Sequence, residues 1–157
     1  MVDFANEFIG GGAANFGNVQ EEILFAIYPE LFVSQLFFER MDPHEAIYMK
    51  GAKRYSNYTG YGGSLDYKAL DQSKRVVKFD SLQRLECIFT AIDASINHKS
   101  LRLQLNEKDI QRDLIKAYAG FKGVSDDPNF ESQKLTIVTG NWGCGMFGGK
   151  PEIKLLV

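Results

Sequence analysis

Val2-Asp3-Phe4-Ala5, then Gly10-Gly11-Gly12, then seven residues and Gln20-Glu21-Glu22-Ile23: this stretch decides the fold. A short strand over residues 1–5 runs into a glycine loop. A helix starts near Val19-Gln20, because Glu21, Glu22, Phe25, Ala26 and Ile27 follow with mostly good helix formers. Glycines let a backbone approach a ligand closely and take positive φ.

Working outward, Tyr28-Pro29 breaks that helix, since the residue before proline is pushed out of the α region. Residues 30–38 read as a second buried helix and residues 45–49 as a strand. Residues 55–63 form a loop rich in Tyr and Gly. Residues 75–79 and 85–94 are strands, the second strongly apolar. Residues 106–118 have helical spacing, ended by Gly120 and Gly123. Residues 135–139 form a β-branched strand that leads into a second glycine loop, residues 140–149. Pro151 opens a last short helix. Strands alternating with helices imply an α/β layer fold, and glycine loops at strand ends are where such folds bind ligands.

The chain has 157 residues, which predicts one domain. Its net charge is −2, which argues against a general electrostatic footprint for nucleic acid. A bound polyanion would need local donors: backbone N–H groups, helix N-termini, one or two lysines. The other lysines and arginines read as solvated surface. Cys87 and Cys144, with His44 and His98, offer no zinc-ligand spacing, so no metal is expected. Two cysteines read as reduced thiols of an intracellular protein. No apolar run approaches the roughly 20 residues of a membrane span. Both ends look cut: the first strand has no lead-in, and the last helix stops on Leu155-Leu156-Val157.

The chemistry centres on the two glycine loops. Glu21 and Glu22 occupy the first turn of a helix whose N–H groups and dipole favour anions. Helix neighbours point about 100° apart. One acid could therefore reach a reacting bond while the other holds the substrate. Crowding two acids raises the pKa of one, which suits a general acid. Equally, first-turn acids are common in any helix. The second loop holds five glycines in ten residues and suits a phosphate nest. It lacks a dinucleotide fingerprint and a Walker ending. The alternative is a tight turn with Trp142 and Phe147 filling core. Tyr55, Tyr58 and Tyr61, three apart, form either a platform for a base or ribose or anchors for their loop. Asp3 and Asn6 either bond a sugar hydroxyl or cap a turn. Cys144 reads as a small loop residue.

These segments resemble the poly(ADP-ribose) glycohydrolase family. The likeness runs in order through Val2-Asp3-Phe4-Ala5-Asn6, Gly10-Gly11-Gly12, Gln20-Glu21-Glu22-Ile23 and Pro29-Glu30-Leu31. It continues through Tyr55-Ser56-Asn57-Tyr58-Thr59-Gly60-Tyr61, Ala91-Ile92-Asp93-Ala94, Lys116-Ala117-Tyr118-Ala119-Gly120-Phe121 and Thr139-Gly140-Asn141-Trp142-Gly143-Cys144-Gly145. The resemblance implies a macrodomain-like three-layer α/β/α sandwich with a mixed, incomplete sheet, residues 1–157 being part of the catalytic domain. It implies hydrolysis of ribose–ribose O-glycosidic bonds in poly(ADP-ribose), with Glu22, Glu21 and Asp3 as the catalytic set. Glu22 would be the general acid and then the base, through an oxocarbenium-like centre. Glu21 would hold the terminal ribose, while Asp3, Asn6 and Gln20 orient that ribose and the acid. Gly10, Gly11 and Gly12 would be substrate-binding, their bare backbone allowing close approach to a phosphate or sugar. Asn141 and Phe147 would position the ribose as well. Gly143, Cys144, Gly145, Met146 and Phe147 would bind the diphosphate, and Tyr61 would close over the adenosine side.

No metal and no cofactor are implied. The expected ligand is poly(ADP-ribose) or ADP-ribose, with no direct DNA binding and no membrane, in a monomer of the nucleus or cytoplasm that serves the DNA damage response. The chain departs from the family pattern at Lys150, where an acidic residue is usual, and in lacking an adenine-stacking aromatic beyond Val157. A catalytically impaired fragment or an ADP-ribose-binding module of the same fold is the competing expectation.

Overall fold

A computed structural model describes residues 1–71, 73, 77–97, 101–126 and 136–157, apart from the Leu103 side chain. Strand β1 (Val2–Ala5) leads through the first glycine loop into helix α1 (Gln20–Ile27). Pro29 ends α1 as its sequence dictates, and a 3-10 helix follows over Pro29–Leu36. Next come β2 (Ile47–Lys50), a hairpin of β3 (Ser56–Thr59) and β4 (Asp66–Ala69), and β5 (Ile88–Asp93). Helices α2 (Leu101–Gln104), α3 (Glu107–Ser125) and α4 (Pro151–Lys154) complete the described elements.

The main sheet has the order β1-β5-β2, with β1 parallel and β2 antiparallel to β5. It is mixed, as expected. Alternation along β5 sends Phe89 and Ala91 to one face and Thr90 and Ile92 to the other. On the first face, Leu24, Phe25 and Ile27 of α1, Tyr28 just after it and Leu31 of the 3-10 helix pack against Phe89, Ala91 and Ile47. The Tyr28 and Phe89 rings meet edge to face, 4.7 Å apart. Phe25 and Phe89 are completely buried. Each contributes roughly 2–3 kcal/mol of apolar transfer. On the second face, Val2, Ile92 and Ala94 pack with Trp142, Phe121 and Phe147. Helices therefore cover both faces, giving α/β/α layers.

The free edge of β1 is closed by a side chain. The Gln20 amide accepts from the Phe4 N–H at 2.8 Å and donates to the Val2 carbonyl at 3.1 Å, imitating a neighbouring strand. The Val2 N–H donates to Val138 O at 2.8 Å on the same edge. This side-chain pairing ties the start of α1 to β1, and so fixes the height of Glu21 and Glu22 above the sheet.

Several expectations need correction. Residues 30–38 are not a buried helix: the helix is 3-10, and Val33, Leu36, Phe37 and Phe38 are exposed. The loop expected over residues 55–63 contains β3, paired with a strand that polar residues 66–69 did not announce. Residues 77–79 carry one bridge, Phe79 to Leu85, in place of a strand; residues 75 and 76 lie outside the described residues. Residues 136–139 are not in a strand either, and Leu135 lies outside the described residues. Helix α3 runs straight through Gly120 and Gly123.

Nor are the basic residues uniformly solvated. Lys116 is 0% exposed and pairs with Asp93 Oδ1 at 2.6 Å, while its ammonium donates to Glu45 O at 2.7 Å. Lys50 and Arg84 converge on buried Asp80. Burial alone would raise the Asp80 pKa, but the Arg84 N–H, the Lys50 ammonium and the Arg84 guanidinium together hold it well below the usual range. Among the described residues no helix is long and apolar enough to cross a membrane. Neither Cys87 nor Cys144 is in a disulfide.

Candidate active site

The first glycine loop folds back on the acids that follow it. Glu21 is 2% exposed. Its Oε2 accepts from the Asn6 N–H at 2.9 Å and its Oε1 from the Gly10 N–H at 2.6 Å. Burial lifts its pKa to about 8, against the pull of those two N–H groups and with a further push from Glu22 and Asp93. Glu21 therefore holds a proton more tightly than an ordinary carboxyl does.

Glu22 points to the open side. Its Oε1 accepts from the Gly12 N–H and its Oε2 from the Val19 N–H, each at 3.0 Å. At two places a side chain on the loop would crowd these acids. At Gly11, where φ is +46°, a Cβ would lie 2.7 Å from Glu21 Oε2. At Gly17 it would lie 2.4 Å from Glu22 Cγ.

Asp3 sits beneath the pair on β1. It is 0% exposed, and neither oxygen has a hydrogen-bond partner among the described residues. Burial, with Glu21 and Glu22 adding to it, pushes its carboxyl well above the usual range. Asp3 is thus a buried carboxyl under the site and does not line it.

Above Glu22 lies a cleft of about 350 Å³. One wall is Phe16, Gly17, Asn18 and Val19 with Asn6, Gln20, Glu21 and Glu22. The other is Trp142, Gly143, Gly145, Met146 and Phe147, with Phe4 and Tyr61 completing the lining. The structure thus brings Asn6, Gln20, Glu21, Glu22, Tyr61, Gly143, Gly145, Met146 and Phe147 to one place. Gly10, Gly11 and Gly12 stand behind the acids as their scaffold. Asn141 and Cys144 form the base of the second loop, where the Cys144 N–H donates to Asn141 O at 3.1 Å. The Cys144 thiol is pushed up by burial, with Lys154 pulling the other way, so it stays a thiol.

The tyrosines separate. Tyr61 lines the cleft, and its phenol oxygen accepts from the Gln20 N–H at 3.1 Å. The Tyr55 hydroxyl donates to Glu30 Oε1 at 3.1 Å, an anchoring contact. Tyr58 lies on the hairpin, opposite Tyr67. Asn6 does cap a turn: its Oδ1 accepts from the Phe8 N–H at 3.0 Å.

Trp142 fills core as the alternative reading held, with Nε1 donating to Ile92 O at 2.8 Å, yet its edge also faces the cleft. Beneath the second loop, Lys154 pairs with Asp113 and places Nζ 4.8 Å from the Trp142 ring centre. Gln104 donates to Asn97 O and Gly148 O and accepts from the Lys150 N–H at 3.0 Å, pinning the far end of the loop. That contact is made by the Lys150 backbone, whatever its side chain. Sequence reasoning missed Phe16, Lys154 and Gln104. Only the exposed aromatic between loop glycines carried a readable signal.

Residues 1–157 match the family model described as poly(ADP-ribose) glycohydrolase, macro domain fold. The chain belongs to this family. The mixed sheet covered on both faces is accordingly a macro domain fold. Poly(ADP-ribose) glycohydrolase 1 of Caenorhabditis elegans is 42% identical over 166 residues, which cover 100% of this chain and 21% of that protein. Probable poly(ADP-ribose) glycohydrolase 2 of Arabidopsis thaliana is 33% identical, covering 99% of this chain and 35% of the relative. Poly(ADP-ribose) glycohydrolase 2 of Caenorhabditis elegans is 35% identical, covering 100% and 33%. The chain thus spans between a fifth and about a third of these glycohydrolases.

Proposed function

We propose that residues 1–157 carry part of the catalytic domain of a poly(ADP-ribose) glycohydrolase and cleave its ribose–ribose bonds. The observation that carries this reading is the acid pair itself: Glu21 buried with its pKa pushed up, Glu22 beside it at the cleft floor, both gripped by N–H groups of one glycine loop. A pure binding module has no chemical need for such a pair. Membership of the family supports the substrate.

In this mechanism Glu22 gives its proton to the leaving ribose oxygen as the C1″–O bond breaks. An oxocarbenium-like C1″ forms, water adds to it, and Glu22 takes the proton that water loses. Glu21 binds the hydroxyls of the terminal ribose and can donate the proton it retains. Asp3, touching no substrate, positions Glu21 from below. Asn6 and Gln20 orient the ribose and the start of α1. Asn141 and Phe147 position the ribose, and Gly143, Gly145 and Met146 offer the diphosphate a loop of N–H groups over the Lys154 charge, while the Cys144 N–H, tied to Asn141 O, holds that loop in shape. Tyr61 closes over the adenosine side. We further assign the protein to the nucleus or cytoplasm, as a monomer that binds the polymer and not DNA.

Glu22→Gln tests the reading. It keeps an acceptor for the loop and removes the proton. Release of ADP-ribose from polymer should fall by at least about 100-fold, the usual worth of general acid–base catalysis, while ADP-ribose affinity by calorimetry changes little. Near-normal turnover of Glu22→Gln would overturn the assignment.

A further inference from the structure

We propose that Phe16 forms a second subsite, which stacks on the adenine of the ADP-ribose unit leaving the cleft. This rests on the glycohydrolase reading and extends it to the other side of the breaking bond.

Phe16 is 99% exposed, yet it lines the cleft. No packing explains a large apolar ring in that position. The loop presenting it is ordered: the Ala13 N–H donates to Gly10 O at 2.8 Å, Asn15 N–H to Gly12 O at 2.9 Å and Gly17 N–H to Gly12 O at 3.1 Å. The ring therefore stands on a fixed stalk.

The chemistry of the polymer says what belongs there. The bond that breaks joins C1″ of the retained unit to the 2′ oxygen of the next unit's adenosine ribose. An acid that protonates this oxygen must touch the leaving ribose. The purine sits on C1′ of that ribose, one carbon away, and is the nearest flat group to the acid on the leaving side. Phe16 directly precedes Gly17, where a Cβ would lie 2.4 Å from Glu22 Cγ, and Gly12 of the same loop holds Glu22 Oε1. The groups assigned to the retained unit are Asn6, Gln20, Glu21, Tyr61 and the second glycine loop. The aromatic beside the acid is left for the departing base, and base–aromatic stacking is a strong, sequence-tolerant contact.

The test is calorimetric titration of the full chain in a Glu22→Gln background, with ADP-ribose and with the linear ADP-ribose dimer as probes. The dimer should bind more tightly than the monomer. Phe16→Ala should weaken dimer binding by about tenfold, as loss of one stacked base does, with ADP-ribose affinity unchanged. Phe16→Tyr should restore the dimer. Because Phe16 is exposed, the alanine variant should melt with the parent. Equal dimer affinity with and without the ring, or a parallel loss for both probes, would overturn the subsite while leaving the glycohydrolase reading intact. Absence of ADP-ribose binding by the parent would overturn both.

Discussion

The Tyr61 hydroxyl accepts a hydrogen bond of 3.1 Å from the backbone N–H of Gln20, the first residue of α1. The contact joins the β3–β4 hairpin to the helix bearing both acids. It occupies one of the N–H groups that a helix start leaves unpaired.

Tyr61→Phe should therefore loosen the hairpin without unfolding it. The bond is exposed, and a net hydrogen bond contributes about 1 kcal/mol. ADP-ribose affinity should drop by roughly five-fold, and Tyr61→Ala should cost more because the ring itself is lost. Calorimetric titration checks both variants. Unchanged affinity in Tyr61→Ala would remove Tyr61 from the ligand site.

Glu21 makes stability depend on pH in an unusual direction. Its ordinary value is 4.5 and its folded value is about 8. Between these, the folded chain holds a proton that the unfolded chain has released. The stabilisation is complete below about pH 4.5 and declines as pH rises through 8, by a few kcal/mol at most. Asp3 acts in the same sense. Thermal melts from pH 5 to 9 should show a falling midpoint, and Glu21→Gln should flatten the slope. The idea fails if the two slopes coincide.

Gly17→Ala tests the contact between loop and acid. The new methyl would lie 2.4 Å from Glu22 Cγ, so the acid or the loop must move. Overpacking of this kind costs about 1–3 kcal/mol. Displacing an acid by an ångström costs on the order of 100-fold in rate. We expect kcat on polymer to collapse with a modest loss of melting temperature. Gly123→Ala, which meets open space on α3, is the control and should leave kcat near the parent value.

Local chemistry made much of this legible. Val19-Gln20 and Tyr28-Pro29 bound α1 because a helix start and a proline stop are short-range signals. Gly120 misled, because its role is tertiary. A Cβ there would lie 2.8 Å from Ile92 Cγ2, so the glycine lets α3 approach β5 and does not end it. Thr90 Oγ1 then donates to Gly120 O at 3.1 Å. Residues 66–69 hid as a strand because Asp66, Tyr67, Lys68 and Ala69 are all exposed and show no buried face. In the site, the paired acids and both glycine loops could be read from spacing. The burial of Lys116, Lys154 and Asp113 could not, since it depends on contacts across the fold.

That buried network yields the last prediction. The Lys154 and Asp113 side chains are 10% and 6% exposed and form an ion pair under the second glycine loop. Lys154 also fills space at the loop itself, with Cε 3.1 Å from where a Gly143 Cβ would stand. Lys154→Met keeps the aliphatic stem but leaves Asp113 without this countercharge. Breaking one side of a buried pair costs about 3–5 kcal/mol, somewhat less here because Arg112 lies 3.5 Å from Asp113 on its other side. Lys154→Met with Asp113→Asn should recover most of that loss, because no buried charge is then stranded. The two variants separate structure from ligand binding. If the Lys154 charge also serves the diphosphate, ADP-ribose affinity should stay weakened in the double variant even as its urea midpoint returns. Recovery of both together would confine Lys154 to holding the loop.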